Sequence, residues 1–148
     1  LLALGVGQKP VVMASYPHMM AEDTEVWTRY LKSWLVPIKE VWYDVHVGRG
    51  MEVSEEATEI EKRVAAGVSR KRIDVVARVG GGYWVIEVKP VASMVALGQV
   101  LGYTRLFEQE YRTEGEVWPV VVCDSVDEDL LDEYEALGVA VIVNESKK

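Results

Sequence analysis

The sequence predicts one α/β domain built on a mixed central β-sheet flanked by helices. Three observations carry that expectation. Two strand-like runs, residues 73–79 and 83–88, meet across Gly80-Gly81-Gly82, which reads as an antiparallel hairpin. Helical patterns alternate with further apolar, strand-like runs on both sides of the hairpin. The 148 residues, 49% of them hydrophobic, suffice for one domain with a sizeable core.

Each element has a local cause. Residues 1–7 are apolar but short and lack a basic lead, which makes a poor signal peptide. Residues 1–12 are therefore expected to be a tail, with Met13-Ala14-Ser15 as a candidate natural start. Asp23 or Thr24 is expected to cap a helix running to about residue 36, with Val26, Trp27, Tyr30, Leu31 and Trp34 on one face. Pro37 stops it. Residues 40–47 alternate as a strand does, and Gly48 to Gly50 supply a turn. Ser54 is expected to cap a helix over residues 54–66, rich in Glu and Ala.

After the hairpin, residues 92–111 read as a long helix that buries Val95, Leu97, Val100, Leu101, Leu106 and Phe107. Residues 117–123 form a strand whose Pro119 suggests an edge or end position. Residues 127–137 form a helix ended by Gly138, and residues 139–143 a last buried strand. The order is α-β-α-β-β-α-β-α-β. Its first three strands can form a meander. The long helix and the last helix then each carry the chain to a parallel strand through a right-handed crossover.

Within the hairpin, Asp74, Glu87 and Lys89 stand where apolar residues would otherwise continue the strands. Glu87 and Lys89 are two apart and share a face, while Ile86 and Val88 fill the other. A simple register about the glycines brings Asp74 opposite Glu87 or Lys89. Paired carboxylates repel unless a cation sits between them. Hard oxygen ligands suit Mg²⁺ or Mn²⁺. Such an ion lowers the pKa of a bound water and neutralises charge on a phosphate. A neighbouring ammonium stabilises the transition state. Taken alone, an acid-x-lysine pair also fits a solvated sheet face.

Asp74, a hairpin and Glu87-Val88-Lys89 resemble the core motif of the PD-(D/E)xK nuclease superfamily. Beyond Lys89, the pair Gln99 and Tyr103 resembles the Gln-x-x-x-Tyr motif of its RecB-like and Cas4-like members, and the two share a helix face. The resemblance covers about residues 73–107. It implies a restriction-endonuclease-like core and metal-dependent hydrolysis of DNA, single-stranded, duplex or branched. It implies Asp74 and Glu87 as metal ligands, completed by the Val88 backbone carbonyl, with Lys89 as the catalytic lysine. Gln99 and Tyr103 would position nucleic acid. In this family an acid of the first helix often joins the metal, which makes Asp23 a candidate, although the residue reads first as a helix N-cap.

The net charge of −8 and pI near 4.8 are unlike a protein that holds DNA by bulk electrostatics. Positive charge is local. Arg70, Lys71 and Arg72 lead into the Asp74 strand, and Arg63, Arg78 and Arg105 are candidates to join them on phosphates. Acidic residues at 108–116 and 124–135 should repel DNA or serve solubility, a protein partner or a homodimer. Trp42 and Tyr43 suit base stacking or the core. Gly80-Gly81-Gly82 is no phosphate loop, and His18 and His46 lack zinc spacing with Cys123. No apolar stretch approaches membrane-spanning length. The lone Cys123 fits a core position and a reducing cytoplasm. A non-catalytic module of the same fold that binds nucleic acid or protein is the rival expectation.

Overall fold

The structure, a computed structural model, describes residues 1–33, 35–50 and 53–144, and the backbone alone at 66–69. Its elements run β1 (Leu2–Ala3), α1 (Ala21–Ser33), β2 (Glu40–Val47), α2 (Glu59–Ser69), β3 (Lys71–Val79), β4 (Gly82–Val88), β5 (Val91–Ala92), α3 (Met94–Glu110), β6 (Tyr111–Arg112), β7 (Glu116–Cys123), β8 (Ser125–Val126), α4 (Leu131–Ala136) and β9 (Ala140–Val143). A 3-10 turn, Glu128–Leu130, leads into α4.

The central sheet has five strands in the order β2-β3-β4-β7-β9. Its first three strands are antiparallel neighbours, and β7 and β9 add in parallel. This is the expected mixed α/β sheet flanked by helices. Val79 pairs with Gly82, so Gly80-Gly81 alone forms the turn, with Gly81 at φ +87°. The middle strands read as apolar runs because both of their faces are covered. Val26, Trp27, Tyr30 and Leu31 of α1 pack on one face with Val75, Ala77, Ile86, Val120 and Val122. Leu97, Val100 and Phe107 of α3, with Tyr134 of α4, pack on the other with Val76, Val85 and Val121.

Several boundaries differ from the sequence expectation, each for a local reason. Residues 2–8 are no tail. Leu2 and Ala3 pair with Tyr111 and Arg112, and Gln8 exchanges backbone hydrogen bonds of 2.8 and 2.9 Å with Val41. Asp23 is not a cap, because α1 begins two residues earlier and holds it in the first turn. Trp34, expected on the buried face of that helix, lies outside the described residues. The second helix starts at Glu59, where the Thr58 hydroxyl accepts the Glu61 N–H at 3.1 Å; Ser54 instead caps a local turn through Glu56 N–H at 3.2 Å. Val95 is 68% exposed, because α3 turns its first apolar residues to solvent. Cys123 is fully buried, as expected. The strand holding Pro119 is interior to the sheet. Its missing N–H is tolerated because Pro119 pairs with Val85 of β4, whereas β9 begins pairing only at Val120. With a neighbour on one side only, β9 leaves Ala140 and Val143 exposed rather than buried.

Gly82 shows how closely β4 and β7 approach. A Cβ there would stand 2.1 Å from the Glu116 carbonyl oxygen. Gly82→Ala must push two paired backbones apart, and we expect a loss of about 2–3 kcal/mol. Urea denaturation measures it, and an unchanged midpoint would count against this packing.

One irregularity positions the site. Val41 and Tyr43 of β2 pack on the α1 side, yet Val45 and Val47 pack on the α3 side. In β3, Val75 and Ala77 face α1 while Ile73 faces the α3 side. The two-residue alternation of both strands therefore reverses at Asp44 and at Asp74. Tyr43 pairs with Val75 and Val45 with Ile73, so these two acids lie opposite each other at the reversal. Asp44 adopts φ +52°, the left-handed region that non-glycine residues rarely enter.

Candidate active site

The hairpin register settles which residues meet. Val75 pairs with Ile86, and one step further along the same register Asp74 falls opposite Glu87 rather than Lys89. The Asp74 Oδ2 atom accepts the backbone N–H of Val88 at 3.0 Å, which ties the acid of β3 to the backbone between Glu87 and Lys89. Glu87 is 2% exposed, and its Oε1 is buried without a hydrogen-bond partner. Lys89 follows the end of β4, where its N–H donates to the Val122 carbonyl at 3.0 Å. Its Nζ stands 3.9 Å from Oδ2 of Asp23, itself nearly buried in the first turn of α1.

The carboxylates respond to one another. Burial pushes the pKa of Glu87 well up, and the charge of Asp74 raises it further against the lowering effect of Lys89. Asp74 is also raised by burial, opposed by the Val88 N–H and by Lys89 and reinforced by Asp23 and Asp44. Asp23 is raised by burial and lowered by Lys89. In the absence of a cation, acids so close and so dry retain a proton near neutrality. From α3, Tyr103 joins them: its phenol is raised by burial and then by the charges of Glu87 and Asp74. Gln99 lies one turn back on α3 with its Oε1 buried and without a hydrogen-bond partner.

The structure thus gathers Asp23, Asp74, Glu87, Lys89 and Tyr103 at one end of the hairpin. The basic run before Asp74 divides. Arg70 is committed to the fold: its guanidinium donates to the carbonyls of Gly48 at 2.7 Å and His46 at 3.1 Å and to Glu110 Oε1 at 2.8 Å. These contacts use its Nε and Nη2 and tie the side chain into the fold. Lys71 is exposed. Arg72 reaches the Asp44 carboxylate, Nε to Oδ1 3.7 Å, and donates to the His18 ring at 2.7 Å. Arg78 pairs with Glu40 at the other end of β3, far along the strand from Asp74. Tyr43 accepts the Trp27 indole N–H at 2.9 Å, and the Trp42 indole donates to the Gly5 carbonyl at 3.2 Å. Both rings are thereby tied into the fold.

Asp44 escaped the sequence reading. The available signal was an acid in the middle of an otherwise apolar-alternating strand, Glu40–Val47.

Do these residues fit a metal ion? No three acid, histidine or cysteine side chains among the described residues converge closely enough to hold one. Two carboxylates, a backbone carbonyl and water are nevertheless a set that Mg²⁺ accepts, because it keeps several waters. The buried, partnerless Glu87 oxygen beside a second raised carboxyl is what an absent cation would explain. The residues fit.

No protein-family model matches the chain, and no curated protein matches it. A crystal structure of a protein of unknown function, AF1548, resembles it at 15% identity and a TM-score of 0.42, covering 77% of this chain and 52% of that one. The chain spans about half the length of that neighbour. No helix among the described residues is long and apolar enough to cross a membrane.

Proposed function

We propose that the chain is a metal-dependent nuclease of the PD-(D/E)xK type acting on DNA, with Mg²⁺ or Mn²⁺ as cofactor. The observation that carries this reading is Glu87. A carboxylate 2% exposed, facing Asp74 and lacking a partner for one oxygen, is costly to keep unless something binds there.

In this reading Asp74, Glu87 and the Val88 carbonyl hold the ion, which supplies an activated water and charge neutralisation at the phosphate. The chain's own groups do the rest. Val88 N–H fixes one Asp74 oxygen and so aims the other. Lys89 presents its ammonium to charge that develops on the phosphate or the water. Asp23 holds that ammonium in place from α1, which makes it a positioning residue here, while a direct metal role for it remains part of the proposal. Gln99 and Tyr103 line the α3 side, where their polar atoms can hold the strand being cut. Lys71 and Arg72 offer cations to its phosphates.

The test is cleavage of single-stranded, duplex and branched DNA with Mg²⁺ or Mn²⁺ and again with chelator. Metal-dependent scission of at least one substrate is expected. Binding without scission under every metal condition would favour the non-catalytic rival.

A further inference from the structure

The central sheet ends on β9, and that edge is unguarded. β9 pairs with β7 on one side only. The Asn144 N–H donates to the Cys123 carbonyl at 2.8 Å. Backbone groups alternate in direction along a strand, so the N–H and C=O groups of Val141 and Val143 point away from β7. Among the described residues no hydrogen bond reaches them. Natural sheets protect such edges with lysine, proline or a bulge. Ala140-Val141-Ile142-Val143 has none of these, and its register with β7 is continuous.

The two faces at this edge differ in chemistry. Ile142 packs on the α1 side and Val141 on the α4 side, while Ala140 and Val143 are exposed. α4 borders the edge: the Val139 N–H donates to the Tyr134 carbonyl at 2.9 Å, and both side chains join one core cluster. Glu128, Asp129, Asp132, Glu133 and Glu135 are all exposed on the 3-10 turn and α4. From Thr113 to Asn144 the sequence holds nine acids and no lysine, arginine or histidine, more negative charge than the net −8 of the whole chain.

An open edge accepts an extended strand through main-chain hydrogen bonds, and side chains on alternate positions select which one. The charge narrows the choice. Nucleic acid is repelled here. A second copy is disfavoured as well, because antiparallel pairing of two β9 strands puts both α4 helices on the same face, acids against acids. A strand with cations toward α4 and apolar residues beside Ala140 and Ile142 satisfies both faces.

We propose that the free edge of β9 docks an extended basic segment of a partner protein, added to the five-stranded sheet as a further strand. The backbone groups of Val141 and Val143 bind it, and the acids of α4 select lysine or arginine at every second position. This surface is independent of the nuclease reading.

The probe is a fluorescein-labelled peptide of four Lys-Val repeats, titrated with the full chain and followed by anisotropy. Saturable binding that weakens with added salt is expected. A peptide of the same composition, with its four lysines before its four valines, should bind at least about tenfold more weakly, since it cannot sort charge by face. Val143→Pro removes an outward N–H and no ladder bond, a place where an edge strand tolerates proline. With a matched melting temperature it should also bind about tenfold more weakly. The triple variant Asp132→Asn, Glu133→Gln, Glu135→Gln, exposed throughout, should lose several-fold in affinity and much of the salt dependence. No binding of the alternating peptide, equal binding of the two peptides, or unchanged binding by both protein variants would overturn the proposal. So would a dimer of the free chain in sedimentation that Val143→Pro dissolves, because a second copy would then own the edge.

Discussion

Lys89→Ala is expected to slow metal-dependent cleavage by about 10²–10³-fold, the loss typical when one preorganised charge is removed from a transition state. The fold sets where the ammonium stands. It emerges where β4 ends, its backbone N–H is bound to Val122, and its Nζ faces Asp23 at 3.9 Å. Mn²⁺ affinity should stay within a few-fold of wild type, because removing a cation beside the acids does not remove a ligand. Asp23→Asn should produce a smaller loss, since the lysine remains but its anchor weakens. Rates for the three proteins, measured with matched melting temperatures, check the assignment. Equal rates in wild type and Lys89→Ala would remove the lysine from the mechanism.

Glu87→Gln should make the metal-free protein more stable while destroying its metal site. The sign follows from linkage. The folded pKa of Glu87 lies above its ordinary value of 4.5. Its contribution is therefore fully present below that value and is lost as pH rises through the raised pKa. At pH 8 the metal-free wild type carries this cost, and the variant, neutral at every pH, does not. Melting temperature at pH 8 should rise by roughly 3–8 °C in Glu87→Gln. The gap should narrow as pH falls from 8 and close below pH 4.5, where wild type is protonated in both states. Added Mn²⁺ should raise the melting temperature of wild type and leave the variant unmoved. A variant less stable than metal-free wild type at pH 8 would show that Glu87 serves packing rather than ligand binding.

Much of the architecture was legible because its causes are local. Glycines at 80–82 fix the hairpin, and the bounds of β2 follow from the apolar residues Val41, Tyr43, Val45 and Val47 that recur every second position between Glu40 and Val47. The order of helices and strands then leaves the mixed sheet as the economical arrangement. Asp74, Glu87 and Lys89 stood out because charge interrupted apolar runs. What was not legible depends on contacts distant in sequence. Arg70 looks like any cation of a basic run until Gly48, His46 and Glu110 close around it. Asp44 belongs to an alternating strand, and nothing local announces a left-handed residue where two strands reverse their faces together. Val95 fits a buried helical stripe, but the face buried by α3 is set by the sheet beneath it. Likewise, the docking of residues 2–8 depends on β6 and on Val41, elements remote from them in the chain.

The central claim is that Asp74 and Glu87 form a cation site, and a calorimetric titration with Mn²⁺ at pH 8 tests it most directly. Run in two buffers of different ionisation enthalpy, it counts protons as well as ions. The account predicts saturable binding by wild type with release of a proton, because the Asp74–Glu87 pair still holds one at pH 8, Glu87 being raised to about 9 in the metal-free protein. It predicts that Asp74→Asn and Glu87→Gln each abolish that binding while remaining folded. Binding of equal strength in wild type and both variants, or none in wild type, would contradict it.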